Sequence, residues 1–282
     1  MPSSAVQPLL ALLTYPVGVN PTQYMVEQAC AHHELDWRYL TFEVGPEDLG
    51  DAVRGLRALG FHGAHCAGVH KQAVVPLLDR TTELASALGA ANIVFREDNQ
   101  LVGDNSDGRA VLQAIRATED PAEKSAVILG AGYMAKAVAL ELLGGGIRAL
   151  TIVNRTETRA SELAAALSEK SQVPIAAVPW AERYAMPAET DLLINATSLG
   201  DGDEDVAVPL QTDSLHPGLL VIDVTPNTSR TRFLRDAAQR GCPTVDGLSI
   251  LVERIALDLQ RWTGTDTNRQ VLRDAAEEFL GL

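Results

Sequence analysis

The segment that most constrains the fold is SAVILGAGYMAKAVALELLGGG, residues 125–146, where an apolar strand leads through a glycine loop into a helix. The loop follows the pattern G-x-G-x-x-A, with Gly130, Gly132 and Ala135 at the marked positions. The first glycine makes a tight turn, the second lets a pyrophosphate approach the backbone, and the alanine lets helix and strand pack closely. A glycine turn in an ordinary α/β protein is the alternative. The strand before the loop and the helix after it favour a dinucleotide site.

The rest of the chain alternates between strands and helices, which is typical of open, largely parallel sheets. We predict strands in LLALLTYPVG, DWRYLTFEVG, HGAHCAGV, IRALTIVNR, ETDLLINATSLG and GLLVIDVTPN. One early helix is expected to begin at Pro21 with Asn20 as its N-cap, and another is expected to open with Pro46. A short strand is expected in CPTVDG, and two helices are expected in LSILVERIALDLQRWTG and DTNRQVLRDAAEEFLGL.

Loop-like and acidic residues in GDNSDGRAVLQAIRATEDPAEK indicate a domain boundary before the central strand, and a second boundary is expected near Asp246. The predicted fold class is therefore α/β with two domains. Residues 107–245 form a Rossmann-type domain with a doubly wound parallel sheet. Residues 1–106 form the other α/β domain, which the C-terminal helices in residues 246–282 complete.

The end of the second strand of the central domain predicts which cofactor binds. A chain specific for NAD places an acidic residue there to hold the ribose 2′-hydroxyl. This chain instead has VNRTETR, which contains Asn154, Arg155, Thr156 and Arg159. Two guanidinium groups suit a 2′-phosphate, so we predict NADP(H) over NAD(H), with Glu157 as the residue that could oppose this choice.

Composition excludes several classes of partner. The formal net charge of −14 and the isoelectric point near 4.8 would repel nucleic acids and anionic membranes. No apolar span of twenty residues is present, and the N-terminus lacks the basic region of a signal peptide. The three cysteines are far apart, which predicts reduced thiols and no clustered metal site. We therefore expect a cytoplasmic protein that acts as a monomer or homodimer.

Several blocks of the sequence, in order and with matching spacing, resemble the shikimate/quinate dehydrogenase family. They are PEDLGDAVRGLRALGFHGAH, ALGAANIVF, LVGDNSDG, ILGAGYMAKAVALEL, VNRTETRASELA, DLLINATSLG and VDGLSILVERIALDLQRWTG. The resemblance implies a substrate domain, made from the N-terminal third and the C-terminal helices, and an NADP domain between them. The implied reaction is reversible hydride transfer between the nicotinamide and a ring carbonyl or hydroxyl.

The resemblance also implies roles for individual residues. Lys71 matches the family's catalytic lysine, Asp107 its partner aspartate, and Asn92 an asparagine that donates to a substrate hydroxyl. A lysine can deliver and take up a proton because its pKa shifts readily, whereas an arginine stays protonated. The remaining cofactor contacts implied are Gly130, Ala131, Gly132, Tyr133 and Met134 in the glycine loop, and Asn195, Ala196, Thr197 and Ser198 along the path from pyrophosphate to nicotinamide.

The chain departs from the family pattern at its substrate contacts. Gly18 and Asn20 stand where two serines normally hold a carboxylate, and Ala67 stands where a threonine is normal. His65 replaces an asparagine and Arg254 a glutamine, so these two residues are candidates for new substrate contacts. A methionine and a tyrosine of the family pattern are also replaced, by Asp201 and Pro226.

We therefore predict an NADP-dependent dehydrogenase whose substrate pocket has been rewritten. Its substrate is expected to be shikimate or a related hydroxylated carboxylic acid, which Arg254 could hold by its carboxylate. The alternative is a non-catalytic NADP(H)-binding sensor with a degenerate pocket. Retention of both Lys71 and Asp107 argues against the sensor, because a dead site has no need of them.

Overall fold

A computed structural model describes residues 6–180, 182–226 and 230–282. Its strands are β1 Leu9–Thr14, β2 Arg38–Glu43, β3 Gly63–Cys66, β4 Arg80–Thr81, β5 Ile93–Glu97, β6 Gln100–Asp104, β7 Ser125–Leu129, β8 Ala149–Asn154, β9 Ile175–Pro179, β10 Leu192–Asn195, β11 Leu220–Asp223 and β12 Thr244–Val245. Its α-helices are α1 Thr22–His32, α2 Leu49–Ala58, α3 His70–Ala73, α4 Glu83–Leu88, α5 Asp107–Arg116, α6 Tyr133–Gly144, α7 Glu157–Ser168, α8 Arg232–Gln239, α9 Gly247–Thr263 and α10 Arg269–Leu280.

The chain divides into two compact units. The first ends at Ser106 and resumes at Arg254–Leu282, and the second is Asp107–Glu253. The later change of unit falls between Glu253 and Arg254, inside α9, whereas the sequence places a division near 245/246. Among the described residues, no helix combines the length and apolarity needed to cross a membrane.

The first unit contains a six-stranded sheet in the order β2-β1-β3-β5-β6-β4. Strands β1, β2 and β3 are parallel, but β5 runs antiparallel to both β3 and β6. A tight turn at Asp98 and Asn99, whose φ values of 49° and 64° lie in the left-handed region, joins β5 to β6 as a hairpin. The sequence did not predict this hairpin, and the antiparallel β5 makes the sheet mixed rather than largely parallel.

Two helix starts differ from the sequence expectation. Helix α1 begins at Thr22, one residue later than expected, and Pro21 is its N-cap. The side chain of Asn20 nevertheless caps the first turn, because its Oδ1 accepts a hydrogen bond from Thr22 N at 2.9 Å. Residues Pro46–Asp48 form a 3₁₀ turn, and the α-helix that follows starts only at Leu49.

The second unit contains an all-parallel sheet in the order β12-β11-β10-β7-β8-β9. Numbered from β7, this order is the 3-2-1-4-5-6 arrangement of doubly wound dinucleotide-binding folds, which confirms the predicted fold class. Strands β7 and β10 are neighbours at the point where the strand order reverses, with Leu129 opposite Asn195. Loops at the carboxyl ends of these two strands are therefore in the usual position of a ligand site.

A close contact in the first unit joins α9 to the sheet at Gly63. Trp262 Nε1 donates a hydrogen bond of 3.0 Å to Val94 O. A Cβ placed at Gly63 would lie 2.1 Å from Trp262 Nε1 and 2.4 Å from Val94 O. A residue larger than glycine at position 63 would therefore force the indole and the strand apart.

We expect Gly63→Ala to destabilise the protein by about 3 kcal/mol, because overpacking at a backbone contact cannot be relieved by a side-chain rotation. Gly55→Ala is the matched control, since a Cβ at Gly55 in α2 would meet no atom within 4 Å. That variant should be more stable by about 0.5–1 kcal/mol because alanine is the better helix former. Urea unfolding followed by circular dichroism measures both; equal stability of the two variants would contradict the contact.

Candidate active site

The glycine loop between β7 and α6 borders a cavity of about 570 Å³ in the second unit. Most of the residues that line it follow the carboxyl ends of β7, β8 and β10, which are neighbours in the sheet. Those expected from the sequence are Gly130, Ala131, Gly132, Asn154, Arg155, Arg159, Ala196, Thr197 and Ser198. Four more were not expected, namely Trp180, Glu182, Leu199 and Pro209.

The two positions of the loop are glycine for different structural reasons. Gly130 has a φ of 109°, and a Cβ there would lie 2.8 Å from Ala196 O, so the loops after β7 and β10 approach as closely as glycine allows. A Cβ on Gly132 would meet no atom within 4 Å, so the space beside Gly132 and the start of α6 is open. This open space at a helix N-terminus fits a dinucleotide pyrophosphate.

Two arginines in the cavity are not paired with any residue that the structure describes. Arg155 and Arg159 are exposed, and no hydrogen bond or ion pair joins either of them to a described residue. Most arginines elsewhere are paired, as Arg235 is with Asp205. Glu182 is the single carboxylate among the described lining residues, so the cationic groups outnumber the anionic ones where a 2′-phosphate would bind.

Four of the expected cofactor contacts are not among the described residues that line the cavity: Tyr133, Met134, Thr156 and Asn195. Asn195 does not line the cavity but holds two residues that do, Thr197 and Leu199, by hydrogen bonds. Its fully buried carboxamide donates to Leu199 O at 3.1 Å and accepts from Thr197 Oγ1 at 2.6 Å. The backbone of Thr156 holds the side chain of Asn154 in place, because Asn154 Nδ2 donates to Thr156 O at 2.9 Å.

Two of the unexpected lining residues, Trp180 and Glu182, follow β9, a strand that the sequence did not predict. Its sequence IAAVP is only half-buried, and it lies at the edge of the sheet, so the apolar signal is weak. Trp180 comes directly after this strand, and its Nε1 donates a hydrogen bond of 2.8 Å to Pro209 O. This bond fixes the indole at the wall of the cavity.

Asp107 is the first residue of α5 and is 3% exposed. Tyr133, the first residue of α6, donates a hydrogen bond from its hydroxyl to Asp107 Oδ2 at 2.7 Å. Although Tyr133 was expected to contact the cofactor, the structure places its hydroxyl on this carboxylate. No sequence pattern indicates that pairing, since residues 26 positions apart on different helices have no fixed spacing.

In the first unit, Lys71 lies in the single helical turn α3 and is half-buried. Its backbone is held in place, because Ala91 N donates to Lys71 O at 2.8 Å and the neighbouring His70 bonds Val44 O through Nε2 at 2.8 Å. Burial raises the pKa of the Cys66 thiol to about 12, and the positive charge of Lys71 acts in the opposite direction. The ammonium group therefore lies near the carboxyl end of β3.

Asn92 is fully buried just before β5. Its Oδ1 accepts from Ser106 N at 2.8 Å, and its Nδ2 donates to Ser106 Oγ at 2.9 Å. These two bonds fix the orientation of the carboxamide, which is what a donor to a substrate hydroxyl requires. The substrate contact itself stays a prediction.

His65 is the centre of a buried chain of hydrogen bonds. Its Nδ1 lies 2.6 Å from Tyr39 Oη and its Nε2 lies 2.7 Å from Asp258 Oδ2, and all three side chains are 2% exposed or less. A carboxylate only accepts, so Nε2 carries a proton. Burial raises the pKa of Tyr39 well above its usual range, while the nearby Arg254 lowers it and Asp258 raises it. Tyr39 is therefore a phenol that can donate to Nδ1.

These buried hydrogen bonds change what is expected of His65 and Arg254 as substrate contacts. Both ring nitrogens of His65 are engaged, so a substrate would reach them only by displacing Tyr39 or Asp258. Arg254 is half-buried on α9, one turn before Asp258, and its positive charge acts to lower the pKa of Tyr39. A signal for Asp258 existed in the sequence, because it lies three residues after buried Ile255 on the apolar face of α9.

The expected substrate loop after β1 contains no hydroxyl in the expected places. Gly18 is exposed and has no side chain, and the carboxamide of Asn20 is committed to Thr22 N. Ala67 is half-buried and contributes a backbone bond to Leu13 O at 3.0 Å. None of these side chains offers the paired hydroxyl groups that would hold a carboxylate.

Sequence and structure comparisons agree with this picture. Residues 12–94 match the profile described as "Shikimate dehydrogenase substrate binding domain", and residues 113–201 match the one described as "Shikimate / quinate 5-dehydrogenase". The NADP(+) shikimate dehydrogenase of Moorella thermoacetica is 39% identical over 97% of this chain and 94% of its own length.

Two solved structures are also similar. The ligand-free 5-ketofructose reductase of Gluconobacter sp. strain CHM43 has a TM-score of 0.94 and 38% identity, covering 98% of this chain and 99% of that one. A shikimate dehydrogenase in complex with NADP+ has a TM-score of 0.88 and 28% identity, covering 96% of this chain and 95% of that one.

We expect Arg155→Ala and Arg159→Ala each to weaken NADPH binding by about tenfold or more, because a hydrogen bond to a charged group contributes about 1.5–3 kcal/mol. NADH binding should change little, since it lacks the 2′-phosphate. Arg116→Ala, at an exposed position late in α5, is the control. Fluorescence titration of both cofactors checks this; equal losses for NADPH and NADH, or wild-type binding of NADH as tight as that of NADPH, would contradict it.

Proposed function

The chain belongs to the shikimate/quinate dehydrogenase family, and from that premise we propose that it is an NADP-dependent oxidoreductase that interconverts a hydroxyl and a ketone on a small polyhydroxylated molecule. Curated relatives named NADP(+) shikimate dehydrogenases and structural neighbours that include a ketofructose reductase support this activity. The same relatives favour an enzyme over the sensor alternative, because their similarity extends over 97% of this chain.

The residues of the cavity in the second unit suit NADP(H). We propose that the open space beside Gly132 and the N-terminus of α6 hold the pyrophosphate, while Arg155 and Arg159 bind the 2′-phosphate. Ala196, Thr197 and Ser198 extend the lining toward the nicotinamide end. Bound NADP(H) supplies or accepts the hydride of the reaction.

We propose that Lys71 and Asp107 handle the proton. Reduction of a ketone requires a proton on the oxygen as the alkoxide develops, and the lysine ammonium can donate it. The carboxylate of Asp107 would be the second titrating group of the reaction. The fixed backbone of Lys71 and the buried position of Asp107 support these roles.

The substrate that the site favours is an uncharged polyhydroxy ketone. The observation that carries this proposal is the loop after β1, where Gly18 has no side chain and Asn20 is committed to Thr22 N. Each lost hydroxyl contact to a charged carboxylate costs about 1.5–3 kcal/mol, so acid binding as in the shikimate dehydrogenases is weakened. The similar reductase of Gluconobacter is named for 5-ketofructose, which has no carboxylate.

A hydroxylated carboxylic acid such as shikimate is the second candidate. Arg254 favours it, because a half-buried guanidinium near Tyr39 could bind a carboxylate in a bidentate manner. The relatives named shikimate dehydrogenases add to this candidate.

A substrate panel decides between the two candidates. We expect 5-ketofructose with NADPH to have a kcat/KM at least about 100-fold above that of shikimate or quinate with NADP+, because two lost contacts of about 1.5 kcal/mol or more each weaken acid binding by more than about 100-fold. Absorbance at 340 nm measures all three. Efficient turnover of shikimate would contradict the proposal and favour Arg254 as a carboxylate site.

A reconstructed loop provides the matched control for this panel. A Cβ at Gly18 would meet no atom within 4 Å, and a serine at position 20 can still accept from Thr22 N, so Gly18→Ser with Asn20→Ser should fold normally. The double variant should raise the kcat/KM of shikimate while leaving NADPH affinity unchanged. No gain for shikimate would show that this loop does not determine the substrate.

Lys71→Ala should lower kcat by about 10²–10⁴-fold, the usual contribution of a general acid. Lys71→Arg should not restore the rate, because a guanidinium does not release its proton at neutral pH. Lys170→Ala, at an exposed position after α7, serves as the control. Turnover by Lys71→Ala at the wild-type rate, with cofactor binding intact, would remove Lys71 from the mechanism.

A further inference from the structure

The hydroxyl of Tyr133 connects the glycine loop to the carboxylate of Asp107. Tyr133 follows Gly132 directly, so its backbone lies where the loop becomes the first turn of α6. Its Oη donates to Asp107 Oδ2 at 2.7 Å. One residue therefore both ends the loop that borders the cofactor cavity and contacts a buried carboxylate at the start of another helix.

The two helices meet closely enough for this bond because of Gly108. A Cβ at Gly108 would lie 2.2 Å from Ala137 O and 2.5 Å from Ala137 C, so the first turn of α5 rests on the backbone of α6. On α6, Ala135, Ala137 and Val138 are buried and small, which allows this approach. The distance between Asp107 and Tyr133 is thus set by backbone contact rather than by flexible side chains.

A carboxylate at a buried helix start can rotate about its terminal torsion unless its oxygens are held. A hydrogen bond from a phenol to one oxygen fixes the plane of the group, and a bond to a charged acceptor is stronger than one between neutral groups. The hydroxyl of Tyr133 thereby determines the direction in which Asp107 presents its charge.

We propose that Tyr133 is a positioning residue for Asp107, and that it couples the orientation of this carboxylate to the loop that binds the cofactor. The inference rests on the proposed proton-handling role of Asp107. It differs from the sequence expectation that Tyr133 serves the cofactor alone. The two possibilities are separable, because Tyr133→Phe removes the hydroxyl and keeps the ring.

The test is a double-mutant cycle with wild type, Tyr133→Phe, Asp107→Ala and the double variant. Rates are measured with NADPH and the best ketone of the substrate panel, and NADPH affinity is measured by fluorescence. Tyr133→Phe should lower kcat about tenfold, the effect of losing one hydrogen bond to a charged group, while the KM for NADPH stays within about twofold. In the Asp107→Ala background the same substitution should have no further effect, because its partner is gone.

Two kinetic results overturn the inference alone. One is an unchanged kcat for Tyr133→Phe when Asp107→Ala is strongly impaired. The other is an equal loss of rate from Tyr133→Phe in both backgrounds, which would mean that the hydroxyl acts elsewhere. A wild-type rate for Asp107→Ala is a different outcome, since it rejects the proton role of Asp107 and the inference with it.

A second measurement does not depend on turnover or on the folding of Asp107→Ala. In protein labelled with ¹³C at the aspartate carboxyl carbons, the resonance that disappears in Asp107→Asn belongs to Asp107. That resonance should move in Tyr133→Phe by more than its linewidth, while the other aspartate resonances stay in place. An unmoved Asp107 resonance overturns the inference.

Discussion

The backbone contact between α5 and α6 at Gly108 is the constraint on which the cofactor side of the site depends. Because a single Cβ at Gly108 would collide with the Ala137 carbonyl, the two helices can meet only where one of them has glycine. That contact brings Asp107 to the hydroxyl of Tyr133 and therefore to the end of the glycine loop. A second close contact, between Gly130 and Ala196 O, joins the same loop to the turn after β10. The glycine loop and the helix that follows it are thus held by two backbone contacts, which suits a preorganised cofactor site.

In the first unit, buried polar groups rather than backbone contacts hold the elements together. The Tyr39–His65–Asp258 chain joins β2, β3 and α9, and its members are satisfied by one another. Such a network stabilises only while complete, because a buried donor or acceptor left without a partner costs about 1–3 kcal/mol. Arg254 lies one turn before Asp258 on α9, so its position is tied to the same network.

The sequence predicted what depends on local pattern and missed what depends on long-range contact. The glycine loop, the parallel strands of the second unit and the cavity-lining arginines all followed from short motifs with a physical reason at each position. Strand β9 was missed because its edge position leaves it half-buried, and α5 was missed because its acidic, glycine-containing start looks like a loop. The hairpin between β5 and β6 was missed because its signal is the pair Asp98 and Asn99 alone. Asp258 and His65 lie 193 residues apart, so no sequence spacing predicts their hydrogen bond.

The account depends most on the claim that Lys71 delivers the proton to the carbonyl oxygen of the substrate. A crystal structure with NADP+ and the alcohol formed from the best ketone of the panel measures this directly. The account predicts that the hydroxyl oxygen produced by the reaction lies within hydrogen-bond distance of Lys71 Nζ, about 2.7–3.2 Å. An alcohol bound with that oxygen against other side chains, and with the ammonium directed away from it, would contradict the account.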